Sequence, residues 1–421
     1  MTLRPFLDRS ARRGVVLGLL LLGGCAVGPD YAAPTPPQMP DRWHRAVERK
    51  TVTTAALGEW WRDLRDPLLD RLMEEAVAGN LDVASAKAKI REARASRRQA
   101  IGGLLPTLDG SGSAIRQQTS PSTVVAGGSR VSSLFQAGFD AGWELDLFGA
   151  EQRSVEAATA GVVATEDDLD ATLLTLVGDV ASNYVEARGY QARIALARRT
   201  AKSQRETAAL TRTKFEAGSA SAVDSSKAEA QAASTESQIP ALETALAETV
   251  HRLSILCGRE PGALVADMKR GGPIPAPRRS LPAGIPADVL ARRPDVRAAE
   301  RRLAQSTAQV GAAEAALYPS VSLSGSLATA ATRPGDLGKA SSITWSWGPS
   351  VKIPFFEGGK LVAARDGAEA VRDQYLIAWR SSVVGALSDV ENALVALANE
   401  RRRSQSLAES ADQYRRAATL S

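Results

Sequence analysis

The chain has 421 residues, of which 24% are charged and 5% aromatic, and a formal net charge of +5. Its length allows two or three ordinary domains, but the scarcity of aromatics and the wealth of Ala, Arg, Glu, Gln and Ser favour long helices over a compact globule. Arg4, Arg9, Arg12 and Arg13 supply part of the charge from the extreme N-terminus, so the balance gives no support to a nucleic-acid partner. Only two cysteines, Cys25 and Cys257, are present.

Residues 1–24 have the form of a secretory signal. Basic residues precede an apolar run from Gly14 to Leu22, too short to span a bilayer by itself. The run closes as Leu22-Gly23-Gly24-Cys25, which resembles the bacterial lipobox. In that motif small residues let the peptidase reach the bond before a cysteine whose thiol is lipidated. The expectation is covalent diacylglycerol and an N-acyl chain on Cys25, and no other cofactor. The plainer alternative is an ordinary signal with an incidental cysteine. Ala26 is compatible with sorting to the outer membrane. With Cys25 lipidated, Cys257 has no intrachain partner, and it reads as a small core residue.

Residues 25–56 carry Pro29, Pro34, Pro36, Pro37 and Pro40 and form an extended, lipidated tether. Trp60-Trp61 then introduces helix from Pro67 to Leu104, split near Gly79-Asn80. Strand periodicity follows. Thr107–Gln118 is the weakest of four runs. In the second, Phe135, Ala137, Phe139, Ala141, Trp143, Leu145 and Leu147 share one face, and Gln136, Asp140, Glu144 and Asp146 the other. A prolineless helix is expected from Ala150 to Ala217, about 100 Å long, with the stripe Leu173, Val177, Val180, Tyr184, Ala187. Glu166-Asp167-Asp168 within it are expected to face solvent. Gly218 ends this helix in a left-handed turn, and Ser221 caps the helix that returns from Ala222 to Cys257. The return helix carries Leu242, Leu246, Thr249, Leu253 and Leu256. Spacings averaging 3.5 residues pack helices side by side.

After a linker at 258–285 the pattern begins again. Val321, Leu323 and Leu327 alternate with serines. Ile343, Trp345, Trp347, Val351, Ile353 and Phe355 then alternate with small polar residues. Each run is long enough for a tilted membrane strand, with an apolar face for lipid and a polar face for a wet lumen. One face of a soluble sheet is the plainer reading. The closing helix carries Val383, Leu387, Val390, Leu394 and Leu397. Its Arg401-Arg402-Arg403 reads as a solvated face.

The second half repeats the first. Leu105-Pro-Thr-Leu-Asp-Gly-Ser-Gly112 matches Tyr318-Pro-Ser-Val-Ser-Leu-Ser-Gly325 at an offset of 213, without a gap from Asp82/Asp295. A period this long marks one structural unit built twice. The units are 57–257, with β-hairpin 106–148 and helical hairpin 149–257, and 286–421, with β-hairpin 318–356 and helix 357–421. Two hairpins cannot close a barrel, so membrane strands require several chains to share one; three supply twelve. Ala201 to Leu210 matches Ala411 to Leu420 at an offset of 210. The second repeat is therefore expected to be C-terminally incomplete, without a tip or about 46 residues of returning helix (Thr211 to Cys257).

These residues resemble the outer-membrane efflux proteins of the TolC/OprM type, most closely the NodT-like lipoprotein branch. The resemblance covers essentially the whole chain after the signal. Its carriers are Leu22–Cys25 with Val27-Gly-Pro-Asp-Tyr31, Trp60-Trp61 with Asp66-Pro67, Lys214-Phe-Glu-Ala-Gly218 with Asp224, Arg292-Arg-Pro-Asp-Val-Arg-Ala-Ala-Glu300, and Tyr318–Gly325. It implies a mainly helical fold with membrane β-structure. A homotrimer would share a 12-stranded barrel in the outer membrane above an α-helical tunnel through the periplasm. It implies a passive exit duct, served by a periplasmic adaptor and an inner-membrane pump. The adaptor would meet a helical-hairpin tip at Gly218, Ser219, Ser221 and Asp224, where Asp224 either points inward or caps the returning helix.

An enzyme is disfavoured. His44 and His251 are the only histidines, and no metal-ligand cluster, phosphate loop or Ser/His arrangement appears. Two further alternatives are a lipid-anchored periplasmic coiled-coil adaptor and a truncated, non-conducting member of the duct family.

Overall fold

The computed structural model describes residues 26–35, 43, 59–120, 131–277 and 292–420. The signal at 1–24, Cys25, most of the tether including His44, the tip of the first hairpin at 121–130 and linker residues 278–291 lie outside the described residues. The chain divides into two compact units. One gathers residues 91–165 and 297–383 with the N-terminal segment. The other gathers residues 38–90, 166–296 and 384–421.

After a short 3-10 turn at Trp60–Leu64, helix α1 spans Pro67–Gly79 and α2 spans Leu81–Gly103. Asp66 caps α1, accepting from the Leu68 and Leu69 amides at 3.0 and 3.4 Å, and Pro67 opens it, where its missing N–H costs nothing. Asn80 makes the split between the two helices. Its side-chain oxygen accepts from the Asp82 and Val83 amides at 2.8 and 3.1 Å, so it begins α2 as a cap. Strands β1 (Thr107–Gln118) and β2 (Val131–Leu145) follow, then α3 (Ala150–Glu216) and α4 (Ala222–Leu256). Helix α3 has 67 residues and is about 100 Å long. Helix α4 contains Pro240, which lacks an N–H for the ladder, and runs through it. A four-residue helix α5, Val265–Met268, lies in the linker, a feature too short for periodicity to reveal. The second repeat supplies α6 (Pro294–Ala315), β3 (Ser320–Ala331), β4 (Ile343–Lys352) and α7 (Lys360–Leu420).

Strands β2 and β4 stop two or more residues before the sequence alternation does. Leu147, Ile353 and Phe355 lie beyond the strand ends, and Pro354 can donate nothing to a continued ladder. Asp167 also departs from expectation. It is buried at 8% exposure, because it sits three residues after buried Ala164 on the inward face of α3.

The helical unit holds one core. Leu69, Leu72, Met73 and Ala76 of α1 pack with Leu176, Val177, Val180 and Tyr184 of α3 and with Val250 and Leu253 of α4. Cys257 joins this core, as expected, and burial pushes its thiol up to about 11. Tyr184 is completely buried, and its polar end is matched: the phenol donates to Asp66 at 2.6 Å and accepts from Arg188 at 2.9 Å. Burial, then the bond to Asp66, holds the phenol above its usual range. Asp66 thus caps α1 and ties it to α3.

The sheet lies in the other unit, with strand order β1-β2-β3-β4 and every neighbour antiparallel. The sequence showed one hairpin per repeat. The structure adds β2–β3 pairing from Phe135↔Ala331 to Leu145↔Val321, which fuses the two hairpins into one surface.

Candidate functional site

Residues opposite one another in an antiparallel pair point to the same face, so the register sorts the sheet into two surfaces. One face carries the rows Gly110–Phe139–Leu327–Trp345 and Leu108–Ala141–Gly325–Trp347, then Trp143–Leu323–Pro349 and Leu145–Val321–Val351. The opposite face carries Asp109–Asp140–Ser326–Ser346, Thr107–Gly142–Ser324–Gly348 and Glu144–Ser322–Ser350. On that second face the Ser326 and Ser346 hydroxyls share a hydrogen bond of 2.9 Å. The separation of apolar from polar holds in these rows and lapses farther along β1 and β2, where Ile115 and Leu134 pair on the polar face and Arg116 and Ser133 on the other. Trp345 and Trp347 nevertheless stand 70% and 73% exposed. From Val321 to Ala331 a strand rises about 34 Å, which at a tilt near 45° makes a band about 25 Å tall, the height of a bilayer's apolar slab. Aromatics gather at the end where β2 leaves for α3. Phe148 stacks on Tyr318 at 4.9 Å, and Phe355 and Phe356 are about nine-tenths exposed. Such a girdle suits a membrane interface. Strands β1 and β4 keep one unpaired edge each among the described residues.

The hairpin tip lies in the other unit. Helix α3 ends in a Schellman pair, with the Ser219 amide donating to the Lys214 carbonyl at 2.8 Å and the Gly218 amide to Phe215 at 2.9 Å. This closure needs Gly218 at φ 75°, a region that side chains disfavour. The Ser219 hydroxyl also donates to Lys214, at 3.0 Å. Ser221 and Asp224 form a reciprocal capping box. The Asp224 amide donates to the Ser221 hydroxyl oxygen at 3.1 Å, and the Asp224 carboxylate accepts from the Ser221 hydroxyl at 2.7 Å and its amide at 3.4 Å. These bonds hold the Asp224 carboxyl below its usual range. Of its two expected roles, the structure shows the cap. All four tip residues are exposed.

Between the core and the tip, α3 and α4 are laced by ion pairs that sequence reading missed. Arg198 meets Glu243 at 2.6 Å, Arg205 meets Glu236, and Arg212 meets Glu229 at 3.7 Å. The arginines step forward by seven while the glutamates step back by seven, as two antiparallel helices in heptad register require. The seven-residue recurrence of Arg on α3 was the available signal. Helix α7 has a stretch long and apolar enough, by composition, to cross a bilayer. Its Val383, Leu387, Val390 and Leu394 follow a heptad stripe, and Arg401-Arg402-Arg403 are exposed as expected. Among the described residues no cluster of His, Cys, Asp or Glu is arranged to hold a metal.

A sheet with a bilayer-high apolar face, a polar opposite face and an aromatic girdle, joined in sequence to long heptad helices, defines an outer-membrane channel protein. A family model for the outer membrane efflux protein matches residues 72–259 and 285–421. Nodulation protein T of Rhizobium leguminosarum bv. trifolii is 38% identical over 92% of this chain and 82% of its own length. The solvent efflux pump outer membrane protein SrpC of Pseudomonas putida is 31% identical over 95% of this chain and 86% of its own. The solved outer-membrane channel OprN superposes with a TM-score of 0.80 at 33% identity, covering 91% of this chain and 86% of that one. The chain belongs to the outer membrane efflux protein family. It is the outer-membrane channel component of an efflux pump and has no enzymatic role.

Proposed function

We propose that three copies of this chain build one 12-stranded barrel, each contributing β1–β4, above an α-helical tunnel in the periplasm. The observation that carries this reading is the pair of unmatched edges, β1 and β4, flanking a sheet whose apolar face matches a bilayer. Open strand edges in lipid leave backbone groups without partners, and pairing β4 of one copy with β1 of the next removes every edge. The lumen, lined by Asp109, Asp140, Ser326 and Ser346, conducts small molecules passively, and selection belongs to the inner-membrane pump and periplasmic adaptor. The adaptor meets the tip at Gly218, Ser219, Ser221 and Asp224. Each copy is anchored by diacylglycerol and an N-acyl chain on Cys25, after removal of the signal at 1–24. The repeats 57–257 and 286–421 are the two copies of the sequence unit from which the duct is built, each contributing to both compact units. The continuous apolar face across β1–β4 favours this reading over a lipid-anchored adaptor. The test is native mass measurement and unheated gel migration of protein extracted from outer membranes in mild detergent. A species of three protomers that dissociates only on heating is expected, and a monomer would sink the proposal.

A further inference from the structure

The N-terminal segment makes more contacts than a tether needs. Arg153, in the first turn of α3, has a side chain only 6% exposed. Its guanidinium donates to the Val27 carbonyl at 3.2 Å, the Gly28 carbonyl at 3.4 Å, the Asp30 carboxylate at 2.7 Å and the Glu156 carboxylate at 2.8 Å. The Val27 amide donates to the Phe148 carbonyl at 3.1 Å. Gly28, at φ 88°, lies directly on Gly311 of α6, and a side chain there would strike the Gly311 backbone. A methyl on Gly311 would in turn come within 2.9 Å of the Arg153 Nε. Tyr31 closes the segment by donating to Glu300 of α6 at 2.9 Å. Ala26 sits against Gly149, where an added Cβ would come within 2.6 Å of the alanine methyl.

A tether without a docking role would be solvated and free of long-range bonds. Here an arginine fork is buried to hold two main-chain carbonyls and a carboxylate, and two glycines give the backbones contact distance. We infer that Val27–Tyr31 is an intramolecular ligand whose receptor is Arg153, Gly311 and Glu300, and that its docking fixes the start of the lipid anchor at the β2–α3 corner. Ala26, the residue that follows Cys25 in the sequence, packs on Gly149. With Val27 bonded to the Phe148 carbonyl, acyl chains on the residue before Ala26 would start at the girdle end of the apolar face. Anchor and strands enter the same leaflet. Arg153 is a positioning residue in this arrangement. The inference rests on the lipid-anchor reading, and its test separates the two.

The full chain is purified from outer membranes and treated with chymotrypsin, whose site follows Tyr31, a half-buried side chain held by Glu300 in the docked state and so restrained from the extended form a protease needs. Intact mass reports whether the N-terminal peptide carries acyl chains. The expected result is acylation in every variant, slow cleavage after Tyr31 in the wild type, and at least about tenfold faster cleavage in Arg153→Ala and Gly28→Val. Gly28→Val alters only the ligand, so it reports even where Arg153→Ala fails to fold. A photoreactive phenylalanine at position 148 should capture residues 26–28 in the parent and lose that product in Gly28→Val. Equal cleavage rates with folded, acylated protein, or an unchanged cross-link, would overturn the docking. An unacylated N-terminus would overturn the lipid reading alone, leaving the cleavage and cross-link results to judge the docking.

Discussion

The helical unit and the sheet treat the same residue types in opposite ways. In the helical unit Tyr184, Leu69 and Leu253 have no exposed surface. On the sheet Trp345, Trp347 and Phe139 stand 59% to 73% exposed, in unbroken rows. Burial of apolar area stabilises a fold in water, so the helical unit is organised for an aqueous compartment. An apolar face left open across the sheet, with its aromatics on β2 and β4, is stable only where the solvent is itself apolar. The contrast shows where the bilayer lies without any ligand or lipid in view. A second contrast lies within the helices. The stripe of α3 is covered by α1 and α4, whereas Leu397, Leu407 and Tyr414 of α7 remain exposed.

The largest effect is expected from breaking the sheet's division. Leu327→Arg puts a charge at mid-height of the apolar face, costing about 2–4 kcal/mol in each protomer. The membrane-extracted, heat-dissociable form should vanish. Ser326→Arg, one residue away on the polar face, should insert normally; equal loss in both would show that the faces are misassigned. Next in size is Leu253→Ala in the helical core, expected to cost about 3 kcal/mol. It should lower the melting temperature while leaving membrane insertion intact. At the tip, Ser221→Ala removes one cap and should cost about 1 kcal/mol locally. Hydrogen exchange at Val223–Ser225 should quicken with no change in the core, and the Asp224 carboxyl should titrate closer to its ordinary value.

A pH profile sharpens the same comparison. The forked bond from Arg293 at 3.0 and 2.7 Å holds the Asp295 carboxyl below its usual value. A depressed acid contributes stability that is fully present above its unfolded value, near 3.9, and lost as pH falls through the lower folded value. Thermal stability should therefore hold from pH 7 to 5 and fall below about 4, and Asp295→Asn should flatten that acid limb. The smallest effect is expected at the ion-pair ladder. Arg198→Ala should shift melting slightly at low salt and not at all in molar salt, because exposed pairs are weak and screened. A shift that survives high salt would mean that the arginine stem, rather than its charge, binds α3 to α4.

The tip was readable before the structure because capping is local. Gly218, Ser219, Ser221 and Asp224 find their partners within six residues, so composition and spacing suffice. Arg153 gave no such sign. Its partners at Val27, Gly28 and Asp30 lie more than 120 residues away, and nothing around it in the chain distinguishes it from other arginines on α3. Asp167 was misplaced for a related reason. Charge argued for solvent, but helical phase put it beside Ala164 on the inward face.

The sequence by itself determined what repeats or closes at short range. Alternation at a period of two marked the strands, seven-residue spacing marked the helices, and the 213-residue offset marked one unit built twice. Only the tertiary structure decided which distant surfaces meet. It paired β2 with β3 and so joined two hairpins into one face; it set the register in which Arg198 finds Glu243; it linked Asp66 to Tyr184; and it seated Val27–Tyr31 on Arg153. Each of those outcomes depends on shape and close approach between segments far apart in the chain. Periodicity carries no record of that, because many partners satisfy a stripe and packing selects one.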